Sequence, residues 1–537
     1  MKRRQFLAAA ASLGAVPLIG CSRKSASTMP PGELRGGNLD LGHRLRQGDF
    51  PPPGETRRVP VLIVGAGIGG LSAAWRLDRA GFRDYQMLEL ETQPGGNSRW
   101  GESEVSAHPF GAHYLPLPPR EAVWVREMLA DLGAIEGDPQ AAKPRYDETR
   151  LCHAPQERLY IGGFWQEGVM PRLGVAAAER EQMARFQERI NELKQTTDFL
   201  GRRAFALPLD LSSRDARWTA LDRITMKEWL LGNGYTSPHL HWYVNYACRD
   251  DYGTDYGATS AWAGLHYFAC RNGEAANAAG DAVLTAPEGN GWMVKKLVER
   301  VGSRLMPGAA VFRLEQGKKG VTADVWLAAE NRSVRIEAER LIWAAPLFLL
   351  PKLAAGLPAP LAAAIAGISY APWLVANLTL DELPHAGAGA PLSWDNVLLD
   401  SPALGYVVAT HQQIRSRPGP TVLTYYHALS DQAPALARQR LLETPRKAWA
   451  ARILADLSRA HGDLPALTRR IDVFRHGHAM ARPTPGVLWG DQRQALQPGW
   501  GRVSFAHADA SGLSLFEEAN YRGVLAADRT LAALGRV

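Results

Sequence analysis

Three glycines and a carboxylate stand at a spacing that implies chemistry in this 537-residue chain. Gly65, Gly67 and Gly70 follow the apolar run Val61–Val64 as G-x-G-x-x-G, with Gly69 in the same turn, and Glu89 lies 24 residues after Gly65. Such a triad serves a tight turn, a close backbone approach to a pyrophosphate and close helix–strand packing. The unpaired N–H groups and positive dipole end of the next helix stabilise a diphosphate, and Glu89 is placed to accept hydrogen bonds from a ribose hydroxyl. Asp250, Asp251 and Asp255 interleave with Tyr252 and Tyr256. That pattern either receives a cation through charge and aromatic faces or forms a loop capped by aspartates. His113 is a candidate for proton transfer or a buried, hydrogen-bonded histidine. His476 and His478 fall on one side of a strand, but two histidines without a third ligand make a poor metal site, and no metal is expected.

The elements that must position these groups read in order. Val61–Val64 is β-branched and uninterrupted, as a strand buried on both faces requires. Leu71, Ala74 and Leu77 switch to helical spacing, Gly81 closes the helix, and Tyr85–Leu88 reads as the second strand. Strand, glycine turn, helix, strand and acid in one unit are the context that a dinucleotide motif needs.

Glu91–Arg99 reads ETQPGGNSR. It resembles the E-x-x-x-x-x-G-G-R segment of flavin-dependent amine oxidases, phytoene desaturases and protoporphyrinogen oxidases. The resemblance implies FAD as cofactor, with Leu90 beside the ribose acid and Gly95 and Gly96 letting the chain pass its phosphates. Asn97 stands where that superfamily has arginine, and Arg99 is the candidate to supply the charge. By the same resemblance Gly111 and Ala112 pass the flavin ring, His113 faces the reaction site, Val311 meets the adenine, and Ala344 ends a strand of the cofactor domain. Gly501–Ala527 resembles the closing "R-[VI]-x-F-A-G-[ED]" segment and the helix after it. Asp509 takes the acid position at the ribityl or phosphate region. Phe516, Glu517 and Ala519 open a helix whose N-terminus points at the flavin ring, where its dipole stabilises negative charge on reduced flavin. His507 and Glu518 replace glycines of that segment.

The fold class expected is α/β: a Rossmann-like, glutathione-reductase-type FAD domain with a parallel sheet and helices, plus an α+β substrate domain inserted in two pieces. The cofactor domain is expected at 59–141, 282–352 and 483–537, and the substrate domain at 142–281 and 353–482. In the latter, Met183, Phe186, Ile190 and Leu193 recur at helical spacing, and Thr225–Glu228 is a capping-box pattern.

Ahead of these, residues 1–21 combine Arg3-Arg4, an apolar run too short to span a bilayer, and Leu18-Ile19-Gly20-Cys21. They resemble a twin-arginine signal ending in a lipoprotein cleavage box, so Cys21 is expected to carry lipid on the periplasmic side of a bacterial membrane. Residues 22–58, rich in Pro, Gly, Ser and Arg, read as a flexible tether. Net charge is +7, but the basic residues are dispersed, without zinc-finger spacing or a basic stripe interleaved with aromatics, which argues against nucleic acid as a partner. The four cysteines form no CxxC.

The resemblance thins in the substrate half. Amine oxidases of this superfamily carry a lysine near flavin N5 and two cage tyrosines. Val375 stands at the lysine position, Leu515 at one cage position, and Met480–Pro483 holds no tyrosine at the other. Three readings follow. The first is an exported FAD-dependent oxidoreductase taking hydride from a small molecule such as an amine, with oxygen or quinone as acceptor. The second is a desaturase or isomerase of a lipid or carotenoid-like substrate. The third is a non-catalytic flavin-binding envelope protein. An acidic aromatic pocket favours the first, an apolar tunnel the second and a blocked flavin face the third.

Overall fold

The computed structural model describes residues 29–414, 417 and 419–536. The expected signal and Cys21 lie outside them. Val61–Val64 lies in the strand Thr56–Val64, at the centre of a seven-stranded sheet among the described residues. Leu305–Pro307, Tyr85–Glu89, Thr56–Val64 and Arg332–Trp343 run parallel there, and Val503–Phe505 pairs parallel with the last of them. Val321–Leu327 and Ala309–Gln316 extend the sheet antiparallel. Helices Ile68–Arg79 and Phe516–Ala533 pack on it, and Gly523 is where they meet: a Cβ there would lie 2.2 Å from the Gly69 carbonyl oxygen.

A second sheet, of eight strands among the described residues, forms the floor of the substrate domain. Its strand Tyr370–Leu380 is buried throughout, and its two faces divide by alternation. Leu374, Ala376 and Leu378 pack against the helices Pro434–Glu443 and Arg446–Leu457, while Trp373 and Val375 face the other way, toward a cavity. The opposite wall is helical. Along Pro238–Tyr252, Leu240, Val244 and Cys248 enter a helical core with Met183, Phe186, Ile190 and Leu193, whereas Tyr246 and Asp250, four residues apart, turn to the cavity. The Thr225–Glu228 capping box forms in full.

Three expectations need correction. Residues 29–58 are not a free tether. Leu34–Gly36 pairs parallel with Thr468–Ala481, and Leu39–Gln47 is a helix that buries Leu41 and Leu45. Composition suggested a spacer, but Asn38 caps that helix by accepting from the Leu41 N–H, and Gly48 closes it in the left-handed conformation (φ 74°). Tyr146 and Leu151 pack in the cofactor-domain core, so the passage into the substrate domain lies at Glu157–Ile161 rather than at residue 142. The helix Ala359–Ala366 buries Leu361 and Ile365 against the cofactor sheet, which moves the second boundary from 353 to Tyr370. Cys152, Cys248 and Cys270 are free thiols. No helix among the described residues is long and apolar enough to cross a membrane.

Candidate active site

Two cavities, of about 370 and 170 Å³, lie side by side and share Asn97, Ala112, Ala479, Ser514, Leu515 and Phe516 as lining. The larger runs along the ends of the cofactor sheet. Gly65, Gly67, Gly69, Glu89, Leu90, Gly95, Gly96, Asn97, Ala112, Val311, Ala344, Asp509, Phe516 and Ala519 all border it. Residues up to 454 positions apart in the chain thus meet at one surface.

Helix Ile68–Arg79 starts at Gly67 without a side-chain cap, so its first N–H groups point into the cavity free to bind an anion. Gly96, at φ 56°, carries the chain across this opening, and a Cβ on it would lie 3.4 Å from the Gly67 Cα. Gly70 does not border the cavity. Its missing Cβ would sit 1.9 Å from the Gly65 carbonyl oxygen, so it closes the helix onto the strand. Glu89 accepts from the Ala66 N–H (2.7 Å) and the Glu91 N–H (3.0 Å). Burial raises its pKa, and those two amides and Arg99 pull it back.

Arg99 does not take the arginine's role: it pairs with Glu91 at 3.3 Å, stacks over Phe474 and lies outside the cavity lining. Asn97 instead donates to the Ala479 carbonyl at 2.7 Å, stitching the glycine loop to the substrate sheet. At the far end Asp509 accepts from the Tyr370 hydroxyl (2.6 Å) and the Leu347 N–H (2.9 Å) through one oxygen. Its other oxygen is buried 3.1 Å from His507 Nδ1. Burial opposes its charge, but His507, Tyr370 and Leu347 hold its pKa below the usual carboxylate value.

The smaller cavity is acidic and aromatic. Its walls carry Asp250, Asp251, Asp395 and Glu517 among Tyr114, Tyr246, Trp373, Tyr426 and Phe516, with Arg271 as the one arginine and no lysine among the described lining residues. Arg271 places Nη2 2.6 Å from both oxygens of Asp251. Although burial works against its charge, Asp251 holds Arg271 firmly protonated. Asp250 accepts from the Tyr114 hydroxyl at 3.0 Å. Burial and then Asp251 raise its pKa, while Arg271 and Tyr114 moderate the rise. Burial also lifts Asp395 well above the ordinary value, and Glu517 to about 7. A buried cation would offset each of these penalties.

Gly111 and Glu517, expected at the cofactor, line this second cavity. His113 lines it too, stacked on Tyr426 with ring centroids 4.2 Å apart, and burial lowers its pKa to about 3, so the imidazole is neutral. His476 faces the smaller cavity and His478 the larger. No group of three or more His, Cys, Asp or Glu suited to a metal occurs among the described residues. Of the aspartate–tyrosine run, Asp250 and Asp251 sit on a helix rather than in a loop, while Asp255 caps the following turn by accepting from the Gly257 N–H. Tyr114, Tyr246, Arg271, Asp395 and Tyr426 were not found by sequence reasoning; Arg271 follows the end of the helix Ala261–Ala269, and the other four reach the site through strand register or helix phase, which no local motif records.

Cavity and fold together define a two-domain protein with a Rossmann-like dinucleotide cleft and a second, acidic cavity beside it. Residues 63–132 match the family model of the NAD(P)-binding Rossmann-like domain. Among solved structures, putrescine oxidase bound to putrescine is similar at 17% identity and a TM-score of 0.66, over 89% of this chain and 100% of that one. Cyclohexylamine oxidase from Brevibacterium oxydans IH-35A follows at 17% and 0.63, over 89% and 99%. A conjugated-linoleic-acid (CLA)-producing fatty acid isomerase from P. acnes gives 15% and 0.61, over 88% and 98%. No curated protein matches the sequence. These likenesses establish the fold: a Rossmann-like cofactor domain joined to the substrate-domain architecture of the amine oxidases.

Proposed function

We propose that the chain is an FAD-dependent oxidoreductase that oxidises an amine bound as a cation. The observation that carries this reading is the acidic, aromatic cavity that opens directly onto the dinucleotide cleft. The cleft fits FAD in its own terms: an uncapped helix N-terminus for the diphosphate, Glu89 beside it, and glycines at Gly67 and Gly96 that leave the chain room to pass close by. When bound, FAD supplies the two-electron acceptor.

The residues of the chain do the rest. Asp250, Asp395 and Glu517 receive the positive charge, and Tyr114, Tyr246, Trp373 and Tyr426 exclude water and offer π faces to it. His113, held neutral by burial, adds an uncharged ring stacked on Tyr426 to the same wall. The helix Phe516–Ala533, uncapped at Leu515, directs its positive end at the boundary between the cavities.

A lipid desaturase or isomerase is the second reading; three lining carboxylates not paired with an arginine, Asp250, Asp395 and Glu517, favour a cation over a lipid chain. The sequence supports a place for the protein on the periplasmic side of a bacterial membrane, exported by a twin-arginine signal and anchored at a lipidated Cys21, with oxygen or quinone as electron acceptor. Anaerobic mixing with a panel of amines, polyamines and polyenes tests the reading. Bleaching of the flavin by amines alone is expected, and bleaching by polyenes alone, or by nothing, overturns it.

A further inference from the structure

We propose that the segment from Pro30 to Phe50 is a clasp that holds the adenosine end of the cofactor, with Leu45 as a cofactor-contacting residue. This rests on FAD being the occupant of the larger cavity.

The segment bridges both halves of the molecule. At its start the Pro31 and Glu33 carbonyls accept from the Ile471 and Val473 N–H groups, each at 2.9 Å, fixing it to the edge of the substrate sheet. At Asn38 it crosses over, where the backbone N–H donates to Glu91 Oε1 at 2.8 Å, two residues from the ribose-binding acid Glu89. The helix Leu39–Gln47 then lies on the cofactor domain. Arg44 is held between Phe50 and Trp326, its guanidinium 4.4 and 4.2 Å from the two ring centroids. Leu45 forms part of the cavity wall near Glu89, Leu90 and Val311. Arg46, on the same helix, contributes with burial and Arg438 to lowering the pKa of the cavity-lining His478 to about 4. The clasp therefore brings positive charge to a cleft whose glycine loop carries Asn97 where the arginine was expected.

A wall that is laid on from outside, by one strand edge and one nine-residue helix, opens more cheaply than the sheet beneath it. Release of the bound dinucleotide then goes through displacement of the clasp. By linkage, FAD must stabilise the docked clasp as much as the clasp stabilises FAD.

The test uses the full-length protein loaded with FAD, and follows flavin dissociation by fluorescence recovery and amide hydrogen exchange across residues 39–48. Leu45→Ala and Arg44→Ala are each expected to speed dissociation about tenfold, the scale of one lost leucine-sized contact, with the far-ultraviolet circular dichroism of the apo forms unchanged. Added FAD is expected to slow exchange in the wild-type helix. Dissociation within twofold of wild type in both variants, or exchange indifferent to FAD, overturns the clasp. A wild-type protein that takes up no FAD overturns the proposed function itself.

Discussion

The Tyr114 hydroxyl donates to Asp250 across 3.0 Å, joining the strand Tyr114–Pro116 to the helix Pro238–Tyr252. One partner comes from the cofactor half and the other from the inserted half, so the bond forms only when both have folded against each other. It also fixes the direction of the carboxylate on which a cationic substrate would depend. Asp250→Asn keeps the shape and removes the charge. It is expected to lower kcat/KM for an amine roughly 30-fold, about 2 kcal/mol, with flavin content unchanged.

Tyr114→Phe acts on the same carboxyl in the same sense, by disfavouring its charge rather than removing it. The phenol lowers the pKa of Asp250, so its loss raises that pKa. The acidic limb of a kcat/KM–pH profile is expected to move to higher pH, and an unmoved limb would separate Asp250 from substrate binding.

Glu517 links the site to stability. Burial raises its pKa from 4.5 to about 7 in the folded protein. The folded state thus binds the extra proton, and the stability this brings is complete below pH 4.5 and is lost as pH rises through about 7. The loss is on the order of 3 kcal/mol. Denaturant midpoints of the apo protein between pH 5 and 8 are expected to fall for wild type and to fall less steeply for Glu517→Gln, in which Asp250 and Asp395 still carry raised pKa values. A cationic ligand favours the ionised form, so its binding is expected to strengthen over the same interval and to release protons.

Gly69→Ala tests the cradle. A Cβ there would sit 2.0 Å from the Ala506 carbonyl oxygen, which cannot rotate away. The glycine helix must shift, and a loss of flavin content together with about 1–3 kcal/mol of stability is expected.

Asp509→Ala would strand the Tyr370 hydroxyl and the Leu347 N–H, which are buried beside it. Each such orphan costs about 1–3 kcal/mol. The apo protein is therefore expected to melt at lower temperature, whereas a residue serving only the cofactor would leave the apo midpoint in place.

The cofactor half was legible because its chemistry is written locally. Gly65 to Glu89 spells turn, helix start and acid within one βαβ unit, and Asp509 and Phe516 sit in a short strand–turn–helix run with a comparable signature. The substrate chamber was not, because its walls are set by tertiary phase. Trp373 faces the cavity and Leu374 the helices because their strand is paired on both sides, in a register that on one side shifts just before Trp373. Asp395 has no neighbouring motif at all. Arg99 misled because a basic residue two places from the expected position found a nearer carboxylate, Glu91. The clasp was hidden by composition, although Asn38, Leu41, Leu45 and Gly48 carry a capped helix in their spacing.

The walls of the cofactor cleft come from early and late segments of the described chain alike, Leu45 at one extreme and Ala519 at the other. A ribosome working from the N-terminus would finish the glycine turn early yet leave it gaping until almost the whole message had been read. Loading of the prosthetic group is thereby deferred to the completed polypeptide, and a nascent chain truncated anywhere before the final helix would leave the ribosome colourless.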